Sequence, residues 1–216
     1  GSGGSFITFS YTISSGQNSS DLDYVNTSSL ALNGGSIIDS GGNSVTLTLP
    51  SPGSSGSLGA NKDLVVDTTL PTIAAIETSA FSWGAVLNAT EDNANGTVTV
   101  STTGVEDGQT VTITLNSANY TNTITDNATT VTITAAGLQA LTDGQSYTMT
   151  ANVSDADGNA AAEVTSSSFS VDTTLPTISA IATGAFSWGS SLNATEDNAN
   201  GTVTVSTTGV EDGQTV

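Results

Sequence analysis

Thr97–Leu115 reads TVTVSTTGVEDGQTVTITL. On either side of Glu106-Asp107-Gly108, a valine, isoleucine or leucine falls at every second position, with threonine or serine between. Successive side chains of an extended chain point to opposite faces, so this spacing gives two strands, each with one apolar and one hydroxylated face. Threonine suits the outer face because it is β-branched and tolerates water. The Asp-Gly step marks the reversal between the strands.

The same rhythm continues outward through Asn119–Thr125, Thr130–Thr134, Ser146–Val153 and Glu163–Val171, and Pro71–Glu77 opens the series. Turn residues return at Thr142-Asp143-Gly144 and Asp157-Gly158-Asn159, and only Ala135–Leu141 (AAGLQAL) suggests a helical turn. About seven strands with turns roughly every ten residues predict an all-β, antiparallel Greek-key β-sandwich of immunoglobulin type. In order the strands are A (Pro71–Glu77), B (Thr97–Thr102), C (Thr110–Leu115), C′ or D (Asn119–Thr125), E (Thr130–Thr134), F (Ser146–Val153) and G (Glu163–Val171). Phe81 and Trp83 are expected at one end of the core. The cysteines and tryptophan spacing of antibody domains are missing.

The unit recurs almost verbatim. Val66–Val111 is repeated as Val171–Val216, an offset of 105 residues. The copies differ only at Ala74/Ser179, Glu77/Ala182, Ser79/Gly184, Ala85/Ser190 and Val86/Ser191. A period of this size is too long for a solenoid turn and matches a whole small domain. The expected organisation is tandem sandwiches, one complete and two partial. Residues 1–66 form the closing half of one repeat, 67–171 a complete repeat, and 172–216 the opening part of the next. In the first part, Phe6–Ile13 reads as strand E, Ser29–Ile38 spans F, and Ser44–Val66 contains G with an inserted Leu49–Asp63 (LPSPGSSGSLGANKD). Ser5–Ile13 reads as a strand already in progress, and Val216 stops level with Val111 inside strand C. Both ends are therefore expected to lie within domains of a longer polypeptide; a cloning remnant at GSGGS is the alternative for the start.

Composition narrows the function. Twenty acidic residues face one base, Lys62, for a formal charge of −19, and there is no His and no Cys. Such a chain has too few cations to neutralise phosphates, which argues against nucleic-acid binding, and it disfavours anionic lipid. No apolar run approaches the roughly 20 residues of a membrane helix, so no membrane insertion is expected in this segment. Without His as a base or Cys as a nucleophile, an enzyme is not expected. Glycosidase chemistry needs two placed carboxylates, whereas Glu91 and Glu106 lie in loops and Glu163 on a strand. The sequons at Asn88, Asn95 and Asn152 arise by chance in a chain so rich in Asn, Ser and Thr.

The acids gather at predicted loops. In this sandwich the B–C and F–G loops lie where the chain enters, and the A–B and E–F loops where it leaves. The entry end collects Asp67, Glu106, Asp107, Asp155, Asp157 and Asn159; the exit end collects Glu91, Asp92, Asn93, Asp143 and Asp172. In the first part, Asp21 and Asp23 alternate, and Asp39–Asn43 (DSGGN) takes the F–G place. Strung in line, exit ends meet entry ends, and carboxylates face carboxylates. A hard divalent cation with oxygen ligands relieves that repulsion. Ca2+ is expected over zinc, since nitrogen and sulfur ligands are absent, and over magnesium, since Ca2+ accepts irregular carbonyl-rich cages. Asp155, Asp157 and Asn159 alternate as in the early part of a calcium loop, without the distal Glu of an EF-hand. Each motif also reads as an ordinary solvated turn. The linker VDTTLPT recurs as Val66–Thr72 and Val171–Thr177; Pro71 and Pro176 restrain it to an extended, stiff connection between strand G and the next strand A.

VDTTLPTI, LNATEDNANGTVTVSTTGVEDGQTVTITLN and YTMTANVSDADGNAA resemble the bacterial immunoglobulin-like repeats of giant secreted adhesins of the biofilm-associated and repeats-in-toxin types. SLALNGGSIIDSGGNSVTLTLPSPGSSGSLGANKDLVVDTT is similar to the closing half of a related repeat. The resemblance covers nearly the whole chain. It implies export to the cell surface and an extender role, with neighbouring repeats as partners. A host, surface or biofilm-matrix ligand would be bound by domains outside this stretch. It also implies calcium at the junctions, on Asp67, Glu91, Asp155, Asp157, Asn159 and Asp172. Two alternatives remain at this level: a surface-layer or filament protein whose repeats self-assemble, and repeats that bind glycan, ice or receptor directly. The matching places of Trp83 and Trp188 suggest packing rather than a binding platform.

Overall fold

The computed structural model describes residues 6–215. The GSGGS start, the Ser5 that opens the first expected strand, and Val216 lie outside the described residues. In chain order the elements are α1 (Leu58–Asn61), β1 (Thr72–Ile73), β2 (Val86–Asn88), β3 (Gly96–Thr103), β4 (Thr110–Leu115), β5 (Ala118–Thr123), β6 (Ala128–Ile133), α2 (Ala135–Gln139), β7 (Ser146–Tyr147), β8 (Thr150–Asn152), β9 (Val164–Thr165), β10 (Phe169–Asp172), β11 (Thr177–Ile178) and β12 (Thr207–Thr208).

Between Thr72 and Asp172 these strands form an immunoglobulin-like sandwich. One layer is β1-β3-β6, antiparallel throughout. The other carries β5-β4-β8-β9 and, further along the same stretches, β7-β10-β2. β10 pairs antiparallel with β7 but parallel with β2. The expected strand A (Pro71–Glu77) contains only β1, on the first layer; the chain then crosses through Phe81 and Trp83 to a strand the sequence did not reveal, β2, on the second. The crossover was not legible because β2 is only three residues long and its pattern, exposed-buried-exposed, rests on Leu87 alone.

The alternation read from sequence decides which face is buried. Val98 and Val100 of β3, Val131 and Ile133 of β6, and Val111 and Ile113 of β4 point into one core. Full burial of each such side chain contributes about 1.5–3 kcal/mol. Phe81, Trp83 and Phe169 fill one end, with Trp83 stacked on Phe81 at 5.4 Å and edge-on to Phe169 at 5.3 Å. The β4–β5 hairpin and the β5–β6 connection, which passes from one layer to the other, turn on residue pairs with positive φ, Asn116-Ser117 and Asp126-Asn127. That is the backbone of two-residue hairpin loops matched to strand twist, and Asn and Asp tolerate it better than most residues. The expected helical turn is α2, capped by Thr134 Oγ1 accepting from Gly137 N.

The last stretch repeats the opening of this sandwich in the same register. Thr177 faces Thr208 as Thr72 faces Thr103, and Phe186 bridges Val203 as Phe81 bridges Val98. Its apolar face lacks cover: Leu192 is 59% exposed where Leu87 is 0%. In the middle copy that cover comes from β4 through β10. In residues 6–66 the expected strands E, F and G form no ladder; the pairing there is two isolated bridges, Ser19–Val66 and Ile38–Ser44. Phe6–Ile13 forms no strand; a segment becomes one only when a neighbour takes its N–H and C=O groups.

Candidate functional site

The chemistry-bearing side chains meet at the two copies of the linker. At the first, Val66 exchanges both backbone hydrogen bonds with Ser19, each 2.8 Å. Asp67 Oδ1 then accepts from Thr69 N at 2.8 Å, closing a turn on the chain's own backbone. Thr68 N donates to Asn18 Oδ1 at 2.8 Å, and Asn18 Nδ2 donates to Thr69 Oγ1 at 2.9 Å. Gly16 N donates to Thr68 Oγ1 at 2.8 Å.

The second linker is held the same way by different residues. Val171 accepts from Gly144 N at 2.8 Å and donates to Gln145 O at 2.9 Å. Asp172 Oδ1 accepts from Thr174 N at 3.3 Å. Asp143 takes the place of Asn18: Oδ1 accepts from Thr173 N at 2.7 Å, and Oδ2 accepts from Thr174 Oγ1 at 2.6 Å. The Thr174 hydroxyl, together with the Thr173 amide, holds the Asp143 carboxyl below its ordinary value.

On the far side of the first linker lies the F–G loop. Asp155 is buried; its Oδ1 accepts from Asn159 N at 2.7 Å and its Oδ2 from Asn159 Nδ2 at 2.9 Å. The same amide nitrogen reaches the backbone carbonyl of Asp67 at 3.3 Å. Burial pushes the Asp155 carboxyl up, but hydrogen bonds from Asn159, Gly158 and Asp157 outweigh it and hold the group below its ordinary value. Glu106 Oε2 accepts from Ala156 N in this loop at 2.8 Å.

Of the residues expected at the entry end, the structure brings together Asp67, Glu106, Asp155 and Asn159. Asp107 turns away and accepts from Asp126 N at 2.9 Å, in the β5–β6 turn. Asp157 is exposed on the loop. At the exit end, Glu91 accepts from Asn88 N at 3.1 Å, while Asn93 accepts from Gln139 Nε2 at 3.0 Å, tying the A–B loop to α2. Asp172 serves its own linker turn. Asp39 and Asn43 form an exposed twin of the Asp155 loop: Asp39 accepts from Asn43 N and Asn43 Nδ2, both at 2.8 Å. Asp23 accepts from Gly53 N at 3.1 Å and so organises the inserted loop rather than a junction.

Sequence reading missed the linker-gripping roles of Asn18 and Asp143 and of the threonine pairs they hold. The signal was the doubled Thr68-Thr69 and Thr173-Thr174, each one residue past an Asp. Among the described residues, no three His, Cys, Asp or Glu side chains come close enough together to hold a metal ion. The entry-end set is mixed instead: two carboxylates, one carbonyl and one amide. All its ligating atoms would be oxygens, which suits a hard cation and not zinc.

No protein-family description and no curated protein matches this chain. Among solved structures, it is similar to a bacterial immunoglobulin-like domain from the M. primoryensis ice-binding adhesin, at 29% identity and TM-score 0.34, over 48% of this chain and 96% of that one. It is similar to a 1.5-MDa bacterial ice-binding adhesin studied for host cell surface retention, at 28% identity and TM-score 0.34, over 49% of this chain and 32% of that one. It is also similar to a Ca2+-stabilized adhesin with which an Antarctic bacterium reaches out and binds ice, at 28% identity and TM-score 0.39, over 68% of this chain and 33% of that one. The chain spans about a third of the length of the last two. These TM-scores are low, and the fold assignment rests on the strand pairing itself. No helix among the described residues is long and apolar enough to cross a membrane.

Proposed function

We propose that this chain is a run of extender repeats from a large secreted or cell-surface bacterial adhesin, divided at Asp67 and Asp172, acting as a spacer and not as an enzyme. The observation that carries the reading is the linker. At both copies, β-paired chain passes into a short segment, fixed by its own Asp turn and gripped by a loop of the preceding stretch, and then into the next strand. A connection held in this way transmits direction from one unit to the next, as an extender requires. Its neighbours in the same chain are its partners, and a distal domain outside this stretch carries the adhesive contact.

Calcium belongs to the proposal. Asp155, Glu106, Asn159 and the Asp67 carbonyl would hold the ion at the first junction, with Asp157 at its edge. At the second, Asp172 would contribute beside Glu91 from the exit end. The ion would supply positive charge between acidic ends of a chain carrying −19. Small-angle scattering and thermal melting, with Ca2+ and then with chelator, test this. A longer maximum dimension and a higher melting temperature in Ca2+ are expected; identical profiles in both solutions would remove calcium from the account.

A further inference from the structure

We propose that Asn18 and Asp143 are positioning residues that latch the linkers onto the preceding stretch of chain, and that this latch closes without a cation. The proposal rests on reading Val66–Thr72 and Val171–Thr177 as junctions, but not on calcium.

The two latches arise from unlike sequence. Asn18 sits in GQNSSDLDY and Asp143 in LTDGQSYTM, yet each stands one residue before the partner of the linker valine, Ser19 in one case and Gly144 in the other. Both contacts span the fold, with 50 residues separating Asn18 from Thr68 and 30 separating Asp143 from Thr173. They are therefore tertiary contacts rather than turns. In each, one side-chain oxygen takes the amide of the first threonine, and the other arm meets the hydroxyl of the second.

The hydroxyl explains how an amide and a carboxylate fill the same post. A threonine Oγ1–H can donate or accept. Toward Asn18 Nδ2, Thr69 Oγ1 is the acceptor; toward Asp143 Oδ2, Thr174 Oγ1 is the donor. Rotation of one hydroxyl hydrogen switches between them, with no change in heavy-atom positions. The repeated Thr-Thr pair thus makes the linker indifferent to whether the neighbouring loop offers Asn or Asp. Both latches use their side-chain oxygens and nitrogens on protein groups, so neither waits for a metal.

Amide hydrogen exchange at Thr68 and Thr173 in the 216-residue chain tests the latch. Asn18→Ala should speed exchange at Thr68 about three- to tenfold, the effect of losing one ordinary hydrogen bond, and leave Thr173 unchanged. Asp143→Ala should do the reverse. Asn18→Asp and Asp143→Asn should keep protection, which a merely structural surface residue would not require. Thr174→Val, which keeps the shape and removes the hydroxyl, should lower protection at Thr173 to the same extent with Asp or Asn at position 143. Unchanged exchange at both threonines in the alanine variants would overturn the proposal, as would loss of protection in the unaltered chain when chelator is added. Loss of the calcium effect on melting, with the latch amides still protected, would count against the calcium reading alone.

Discussion

The side-chain amide of Asn159 donates to the backbone carbonyl of Asp67 at 3.3 Å and to Asp155 Oδ2 at 2.9 Å with the same nitrogen. One amide thus ties the F–G loop to a linker residue 92 positions away. It lies between two oxygen acceptors that would otherwise face each other.

Because Asp155 is buried and organises this loop, Asp155→Ala should cost about 1–3 kcal/mol, the penalty of leaving buried donors unmet. Asp39→Ala removes the same local bonds from an exposed loop and should cost roughly 0.5 kcal/mol. Urea unfolding of the two variants checks this. Equal losses would show that burial at the junction adds nothing.

Acid should weaken the fold through four carboxylates. Asp23, Asp39 (held chiefly by the Asn43 side chain), Asp143 and Asp155 all lie below the ordinary 3.8. A depressed folded-state value favours the charged form in the native state. The stabilisation is therefore complete above 3.8 and is lost as pH falls from there toward the folded values. The −19 charge acts in the opposite sense, since protonation relieves self-repulsion. Comparing melting curves of the unaltered chain with Asp155→Asn and Asp143→Asn from neutral pH to below about 4 separates the two. The variants should lose less on acidification; an identical pH profile would exclude these carboxylates as the cause.

Leu87 and Leu192 occupy the same repeat position but are 0% and 59% exposed. Leu87→Ala should cost about 2–5 kcal/mol of stability, as buried leucines do. Leu192→Ala should stay within about 0.5 kcal/mol. Calorimetry of the two variants compares them directly, and a comparable loss at Leu192 would mean that the last copy has a closed core in solution.

A Cβ built on Gly96 would lie 2.5 Å from the Trp83 ring and 3.1 Å from Leu138. Gly96→Ala should therefore destabilise by about 1–3 kcal/mol, the usual effect of overpacking a core. Near-ultraviolet circular dichroism should report displacement of Trp83. An unchanged tryptophan signal with unchanged stability would contradict the close packing of β3 against the ring.

The strands legible in advance were those whose alternation runs over several residues, such as β3, β4 and β6, because burying one face forces a period of two. β2 was not, since a parallel pairing with β10 leaves no mark in a three-residue run. The entry-end group was half legible. Asp67, Glu106, Asp155 and Asn159 meet as the loop order implies, but Asp107 follows its hydrogen bond to Asp126 instead.

The sequence by itself determined the repeat, the apolar face of each long strand, the acidic loops and the proline of each linker. These follow from local periodicity, composition and proline. Only the tertiary structure decided which loop grips which linker, because those contacts join residues 30 to 92 positions apart. Whether a repeated residue is buried was also decided there. Leu87 and Leu192 sit in nearly identical sequence, and their difference comes from the layer packed over one and not over the other.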